Sequence, residues 1–302
     1  MRNVALVLSS GGARGLAHVG AIDELTSSGY RIRSIAGSSM GALVGGVYAT
    51  GKLKEFKEWM MSIDKRKMFS LMDLSLSISH IVKGDKVIDA LKSFVPDVNI
   101  EDLPIEYKAV ATDWENGREV VYDKGSLFEA IRASISIPSM FMPYKWNGRT
   151  LVDGGMVNTL PLNRVVRTPG DILVGFNVNE IDVREIQEFL DTRAALENGA
   201  DNSFLGHIQS GLLQLQLNAE GKENRLPVNA DENFATILQR SFGIMNCTVA
   251  KMGIELCPPD VLASMPYDSY HGVYGYSHAE EIATRGRAIM AEALDKYEEK
   301  SL

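Results

Sequence analysis

A serine flanked by glycines stands where an apolar stretch gives way to a helical pattern. Residues 37–41 read Gly-Ser-Ser-Met-Gly and fit G-x-S-x-G. In this motif the central serine occupies a sharp turn between a strand and a helix, and the helix dipole favours negative charge there. The flanking glycines lack a Cβ, so the two chain segments can pass closely. Ser39 is therefore the candidate nucleophile, although the motif alone arises by chance in roughly one chain in ten of this length.

A second glycine-rich turn follows the first predicted strand. Residues 9–15 read Ser-Ser-Gly-Gly-Ala-Arg-Gly and lead into another helical pattern. The backbone N–H groups of such a turn point the same way and can bind an anion. Three anions fit this description: a dinucleotide pyrophosphate, a nucleotide phosphate, or the oxyanion of a tetrahedral acyl intermediate.

Particular residues decide among these anions. Ser10 takes the first glycine position of G-x-G-x-x-G, and the second predicted strand ends in Gly-Ser instead of an acidic ribose ligand. The chain contains no G-x-x-x-x-G-K-[ST] motif, which excludes a P-loop. The oxyanion is favoured, because the carboxyl ends of neighbouring parallel strands lie side by side and Gly11 and Gly12 then face Ser39.

The histidines raise the alternative of a Ser-Asp-His triad. His207, His271 and His278 follow the nucleophile in the order of α/β-hydrolases, but none has a supporting motif. That fold also places its nucleophile deeper in the sheet, whereas Ser39 follows the second predicted strand. His18 falls on the apolar stripe of the first helix, and we expect it to pack.

Several motifs stand in a fixed order along the chain. They are residues 11–15 (Gly-Gly-Ala-Arg-Gly), 37–41 (Gly-Ser-Ser-Met-Gly), 111–113 (Ala-Thr-Asp), 130–138 (Ala-Ile-Arg-Ala-Ser-Ile-Ser-Ile-Pro), 153–155 (Asp-Gly-Gly) and 158–161 (Asn-Thr-Leu-Pro). Together they resemble the patatin-like phospholipase family over roughly residues 4–177.

The resemblance implies an α/β fold with three α/β/α layers around a mainly parallel central sheet. It also implies cleavage of acyl esters in lipids by a dyad of Ser39 and Asp153 that needs no histidine. The implied oxyanion hole comprises Gly11, Gly12, Ala13 and Arg14. We expect the Arg14 side chain to anchor this loop. Ser9 and Ser10 depart from the family, which often carries glycine there, and a Cβ at these positions narrows the entrance to the hole.

The chemistry of a serine hydroxyl is compatible with such a dyad. Serine is a poor nucleophile until a base takes its proton, and an aspartate with a pKa near 4 is a weak base in water. Partial burial raises the pKa of an aspartate and makes it a stronger base. We therefore expect Asp153 to deprotonate Ser39, an acyl-enzyme to form, and Asp153 to activate water for deacylation. No metal or cofactor is expected.

The overall charge and apolar patterning limit the partners. A net charge of −8 argues against nucleic acid and against electrostatic capture by anionic membranes. We expect a lipid or acyl-ester substrate, with transient membrane contact through apolar surface. The chain starts in a strand pattern without signal-peptide features, and no apolar run approaches the roughly 20 residues that span a bilayer. We therefore expect a cytoplasmic protein of open oligomeric state.

The chain shows no linker or composition break, so we predict one domain over residues 1–302. Its core motifs occupy 4–177 and a helical part occupies 181–302, with 171–178 as the last strand. Residues 68–78 form either a lid or an apolar cover, and a tyrosine-rich loop follows residue 266.

Besides a hydrolase, two functions stay open: an idle regulatory scaffold on the same fold, and acyl transfer to an acceptor other than water.

Overall fold

The computed structural model of the chain describes residues 2–63, 85–138, 140–181, 234–267, 270 and 273–301. The predicted lid at residues 68–78 lies outside these residues. The helical spacing of apolar residues also predicts helices at 184–197 and 202–220, which lie outside the described residues as well.

One mixed sheet of eight strands organises the described residues. The strands are β1 (Arg2–Leu8), β2 (Tyr30–Ser38), β3 (Glu106–Asp113), β4 (Arg118–Tyr122), β5 (Tyr144–Trp146), β6 (Arg149–Asp153), β7 (Ile172–Glu180) and β8 (Val261–Pro266). Hydrogen-bonded pairs connect the strands along the path β5-β6-β3-β2-β1-β7-β8, and β4 also pairs with β3. The pairs β3–β2, β2–β1, β1–β7 and β7–β8 are parallel. The pairs β3–β4, β3–β6 and β5–β6 are antiparallel. The sheet is mainly parallel, as predicted.

Seven α-helices accompany the sheet in the described part of the chain. They are α1 (Ala17–Ser27), α2 (Met40–Ala49), α3 (Leu53–Met61), α4 (Asp85–Lys92), α5 (Leu127–Ser134), α6 (Phe234–Leu256) and α7 (Ala279–Ser301). Short 3-10 helices cover Gly12–Leu16, Ile100–Asp102, Gly154–Met156 and Val273–His278. None of the helices among these residues combines the length and apolar composition needed to cross a bilayer.

The alternation of β1 shows how the sheet is covered on both faces. Its residues Val4, Leu6 and Leu8 join a large apolar cluster with α1, α2 and α7. The intervening Ala5 and Val7 join a smaller cluster on the opposite face, which includes residues of α6. Because successive strand residues point to opposite faces, a strand buried on both sides needs apolar residues throughout. The fold is therefore the three-layer α/β/α arrangement that the sequence predicted.

The described residues of the C-terminal part, from 234 onward, are mainly helical, as predicted, with one exception. Residues 171–178 were expected to form the last strand, but β8 follows and pairs parallel with β7. The expectation is wrong because β8 gives only a weak signal. Its buried residues are Val261, Ala263 and Met265, which alternate with more exposed ones. The strand has only six residues and ends at Pro266. The prediction of a single domain stays a prediction.

Glycines let α1 and α7 pack backbone to backbone. A Cβ at Gly20 would overlap Ala283 O, and one at Gly286 would overlap Ala17 O. This contact fixes α7, together with the 3-10 helix that precedes it, against the segment that carries the first glycine-rich turn. The C-terminal region is thereby attached to the N-terminal loop.

Replacing Gly20 by alanine tests this contact. We expect Gly20→Ala to lower the free energy of unfolding by roughly 1–3 kcal/mol, since the added Cβ forces two helix backbones apart. The matched control is Gly253→Ala in α6, where the nearest atom to an added Cβ is Leu160 O at 3.5 Å. That variant is expected to be neutral, or stabilised by up to about 1 kcal/mol through helix propensity. Urea denaturation measures both, and equal effects would contradict the proposed packing.

Candidate active site

Ser39 occupies the sharp turn that its motif predicts. The residue lies between β2 and α2 with φ 54° and ψ −122°, a backbone conformation that non-glycine residues rarely adopt. A Cβ at Gly41 would overlap the backbone of Leu8, so only glycine allows the turn to lie this close to the end of β1. The turn is held by the Ser39 N–H, which donates to Ser134 Oγ at 2.8 Å. Ser134 Oγ in turn donates to Val110 O at 2.6 Å.

Asp153 ends β6 and is buried. Its Oδ1 accepts a hydrogen bond from the Gly155 N–H at 2.8 Å, and its Oδ2 has no hydrogen-bond partner among the described residues. Burial raises the pKa of Asp153 to about 6, and the Ser39 hydroxyl and the Gly155 N–H oppose part of that rise. The Ser39 hydroxyl therefore lowers the pKa of the Asp153 carboxyl group, although it makes no hydrogen bond with Oδ2.

Strand pairing explains why these two residues meet. β2 runs parallel to β3 and places Ser38 opposite Val110, while β6 runs antiparallel and places Asp153 opposite Ala111. β4 pairs with β3 across both of these positions and so occupies the other edge. β2 and β6 therefore run toward each other along one edge of β3 and end at its consecutive residues. The residue that follows β2, Ser39, must then face the end of β6.

A glycine confirms how tightly the two strand ends meet. A Cβ at Gly154 would overlap Val110 O and would lie 2.6 Å from Ser38 Oγ. Two hydrogen bonds hold the backbone of Asp153. Its N–H donates to Ser136 O at 2.9 Å, and its carbonyl oxygen accepts from Thr112 Oγ1 at 2.8 Å. The Asp-Gly-Gly motif is needed here because larger residues would separate the carboxyl group from the serine turn.

The first glycine-rich turn lies beside the same site. Gly12 has φ 56° and opens the 3-10 helix Gly12–Leu16, whose first N–H groups have no partner within the helix. Ser9 is turned away from the site, because its hydroxyl accepts from the Val178 N–H at 2.9 Å. Ser10 lies against Gly155 and lines the site together with Gly11 and Gly12. Of the two serines that depart from the family pattern, only Ser10 therefore borders the opening.

The side chains of Arg14 and His18 make the anchoring and packing contacts that were expected of them. Arg14 Nε donates to Val178 O at 2.9 Å, and its guanidinium lies 4.9 Å from the centre of the Tyr267 ring. His18 Nε2 lies 2.8 Å from Ser9 O, and burial lowers the pKa of this histidine to about 4. Both side chains hold the glycine-rich turn against the rest of the fold.

Of the three histidines of the triad alternative, the structure describes only His278. His278 is half exposed and its Nδ1 lies 3.1 Å from Glu281 Oε2. It lines neither of the two cavities that reach the serine and the aspartate. His207 and His271 lie outside the described residues.

Two cavities meet at Ser39 and Asp153. The first is apolar, has an empty volume of about 600 Å³ and includes Ser39 in its wall. Its side chains come mainly from α2, α3 and the segment after α5: Leu43, Phe56, Trp59, Met60, Ile63, Ile135 and Phe141. The second is more polar, has an empty volume of about 800 Å³ and includes Asp153 and the glycine-rich turn. The two cavities share Gly12, Ile137 and Tyr276, so the site has an apolar and a polar compartment.

The tyrosine-rich loop lines the mouth of the polar compartment. Tyr267, Tyr270 and Tyr276 all border it. The sequence did not indicate the contribution of α6, whose Phe242, Gly243 and Asn246 line the same cavity. No motif marks these positions, because they reach the site only through the packing of α6 on the sheet.

Comparison with known proteins places this site in a family. The sequence model described as Patatin-like phospholipase matches residues 6–166. An uncharacterized NTE family protein of Mycobacterium tuberculosis is 33% identical over 332 aligned positions, covering 98% of this chain and 92% of the relative. The chain belongs to the patatin-like phospholipase family. Lipid hydrolysis is the general activity that this membership supports.

More distant similarities extend over the same chain. Lysophospholipase NTE1 of Meyerozyma guilliermondii is 27% identical over 295 aligned positions, which cover 93% of this chain but 19% of that protein. Among solved structures, VipD from Legionella pneumophila aligns with a TM-score of 0.46 and 14% identity, over 98% of this chain and 67% of VipD. The family assignment does not depend on the VipD alignment.

The buried carboxyl group of this patatin-like protein is expected to reduce stability at neutral pH. An aspartate in the unfolded chain ionises near pH 4, so between about pH 4 and pH 6 only the folded state holds the proton of Asp153. Stability therefore falls as the pH rises through this window. We expect Asp153→Asn to raise the free energy of unfolding by up to about 3 kcal/mol at pH 8 and to have little effect at pH 4.

Urea denaturation at the two pH values measures this difference. The matched control is Asp89→Asn at an exposed position of α4, expected to change the free energy of unfolding by less than about 0.5 kcal/mol at either pH. A destabilised Asp153→Asn protein at pH 8 would show that the carboxylate is stabilised by its surroundings, contrary to the geometry.

Proposed function

We propose that this patatin-like protein is a serine hydrolase that cleaves fatty-acyl esters of phospholipids or related lipids, with Ser39 as nucleophile and Asp153 as base. The observation that carries the proposal is the position of a strained, cavity-facing serine against a buried carboxyl group with a raised pKa. Strain and a perturbed pKa at one cavity are features of catalytic sites.

The reaction begins with the carboxylate of Asp153. Asp153 takes the proton of the Ser39 hydroxyl while Oγ attacks the carbonyl carbon of the ester. The carbonyl oxygen becomes an oxyanion, which accepts hydrogen bonds from backbone N–H groups of the implied oxyanion hole. That hole comprises Gly11, Gly12, Ala13 and Arg14. Donors of this kind typically contribute about a hundred- to a thousandfold in rate.

The intermediate then collapses to an acyl-enzyme. The bond between the carbonyl carbon and the alcohol oxygen breaks, its electron pair stays with that oxygen, and Asp153 returns the proton to it. Water repeats the sequence: Asp153 takes a proton from water, the hydroxide attacks the acyl carbon, and Ser39 leaves with the proton that Asp153 held. No group other than the dyad and the backbone donors is required for proton balance.

A pKa near 6 suits Asp153 for this role. A base is most effective when its pKa lies close to the working pH, because it is then ionised and still accepts a proton readily. An aspartate in water is too weak a base, and burial makes Asp153 a stronger one by raising its pKa. The same burial that is expected to reduce stability therefore supports catalysis.

The two compartments suit the two parts of a lipid ester. The apolar cavity borders Ser39 and has the lining that an acyl chain requires, while the more polar cavity borders Asp153 and suits the alcohol part. The similarity to a protein named lysophospholipase favours a monoacyl phospholipid as the first substrate to test. Acyl transfer uses the same acyl-enzyme with an alcohol in place of water.

Membrane contact is proposed to be apolar and transient. Large apolar side chains are exposed at several positions of the described surface: Trp114, Met142, Ile237 and Ile244. The net charge of −8 disfavours attraction to anionic lipids. Location in the cytoplasm stays a prediction.

Hydrolysis of lysophosphatidylcholine and para-nitrophenyl acyl esters tests the proposal. We expect Ser39→Ala and Asp153→Asn each to lower kcat/KM by about a thousandfold or more, since each removes a group that acts in both half-reactions. The matched control, His278→Ala, is expected to stay within about threefold. For the parent protein, kcat/KM is expected to rise with pH through an apparent pKa of about 6.

Several outcomes would contradict the proposal. Loss of activity in His278→Ala would indicate a triad instead of a dyad. A folded parent protein that hydrolyses no ester, with a biological role kept by Ser39→Ala, would favour the scaffold alternative. Release of acyl groups only in the presence of an added alcohol would favour acyl transfer.

A further inference from the structure

Tyr276 stands where the two compartments of the site meet, and the mechanism above gives it no role. It belongs to the 3-10 helix Val273–His278 and lines both cavities, a position that it shares with Gly12 and Ile137. Of these three residues only Tyr276 has a polar side-chain group. Tyr276 therefore borders both the space proposed for the acyl chain and the space proposed for the alcohol part.

The position of Tyr276 is fixed by contacts with the glycine-rich turn. A Cβ at the preceding residue, Gly275, would lie 2.8 Å from Ala13 Cβ and 2.5 Å from Tyr270 O, so the segment packs closely against both. Tyr270 is held in turn, because its hydroxyl donates to Glu281 Oε1 at 2.6 Å. The α7 helix follows directly and is packed against α1. Tyr276 is therefore positioned relative to the implied oxyanion hole by the fold itself.

The hydroxyl of Tyr276 is a neutral hydrogen-bond donor. Burial raises the pKa of Tyr276 to about 12, the negative charge of Asp153 adds to this rise, and Arg14 opposes it. The phenol therefore keeps its proton at neutral pH and lies within electrostatic range of Asp153. Across the described residues its hydroxyl makes no hydrogen bond. Tyr276 is only partly buried and borders both cavities, so a substrate oxygen in the site can accept this hydrogen bond.

We propose that Tyr276 is a further catalytic residue whose hydroxyl donates a hydrogen bond to the alcohol oxygen of the ester as it leaves. The inference rests on the function proposed above, because it requires an acyl chain bound in the apolar compartment beside Ser39. The alcohol part must then lie toward the compartment lined by Asp153 and Tyr276. The polar compartment accordingly contributes to catalysis as well as to binding.

The proton balance of the step is unchanged. When the carbon–oxygen bond breaks, its electron pair stays with the alcohol oxygen, which receives the proton that Asp153 took from Ser39. Tyr276 keeps its own proton throughout and stabilises the negative charge that develops on the leaving oxygen. Hydrogen bonds to charged groups are stronger than neutral ones, so the benefit is larger in the transition state than in the bound ester.

A pair of esters with the same acyl chain and different alcohols tests this role. An alkyl alcohol such as glycerol is a poor leaving group and needs the hydrogen bond, whereas para-nitrophenolate is a good one and needs little help. We expect Tyr276→Phe to lower kcat/KM for the glycerol ester by roughly 10- to 100-fold. For the para-nitrophenyl ester we expect a change of less than about threefold. The parameter kcat/KM is chosen because it reports the steps up to release of the alcohol.

The matched control is Tyr270→Phe. Tyr270 lines the same polar compartment, but its hydroxyl is already used by Glu281, so its removal should affect the two esters equally. Thermal unfolding of both variants at the assay pH establishes that the same amount of folded protein is compared. The preference between the two esters is thus separated from any general loss of structure.

The outcomes distinguish this inference from the proposed function. Equal losses on the two esters in Tyr276→Phe would show that the ring only shapes the cavity, and would overturn the inference. Unchanged rates on both esters would overturn it as well. A folded parent protein that hydrolyses neither ester would instead overturn the proposed function.

Discussion

The arrangement of β2 and β6 along a single edge of β3 is the constraint on which the rest of the site depends. Two strands that run toward each other on one edge must end where they meet, and the residues that follow them are then brought together. Ser39 and Asp153 occupy those two positions. The backbone leaves no space for side chains around them, which explains the glycines at 41 and 154. Two side chains held in this way are positioned by the sheet itself.

Burial of Asp153 links this geometry to chemistry. One carboxyl oxygen has no hydrogen-bond partner in the described part of the chain, which is costly for the folded protein when the group is charged. The same cost raises the pKa of the group, which suits it to the proposed role of a base. Natural sites commonly trade stability for activity in this manner. The strained turn at Ser39 is a second local cost of the same kind, located in the same few residues.

The parts of the fold that could be predicted from sequence were those with local signals. The turn at Ser39 follows from its flanking glycines and the strand-to-helix pattern around it, and the mainly parallel sheet and its helical layers follow from the order of motifs. Asp153 could be assigned only through the family resemblance, because an Asp-Gly pair alone indicates a turn. Its meeting with Ser39 depends on strand pairing across more than a hundred positions, which no local pattern encodes.

The remaining features depend on tertiary packing. The short strand β8 was missed because its alternation is brief and ends in proline. The role inferred for Tyr276 requires α7 to pack on α1 through small residues, so that a residue near the C-terminus reaches a loop near the N-terminus. Likewise, α6 borders the polar compartment with residues that show no motif. In each case the contacting residues are far apart in the sequence. The contact depends on how the packed surfaces fit together, not on a recognisable residue pattern.

Covalent labelling with a fluorophosphonate probe tests the central claim most directly, because such probes react with serines that an adjacent base activates. Peptide mass mapping identifies the labelled residue, and intact mass gives the rate. We predict a single label on Ser39 in the parent protein, none in Ser39→Ala, and labelling at least about a hundredfold slower in Asp153→Asn. A folded parent protein without label on Ser39, or an undiminished labelling rate in Asp153→Asn, would contradict the Ser39–Asp153 dyad.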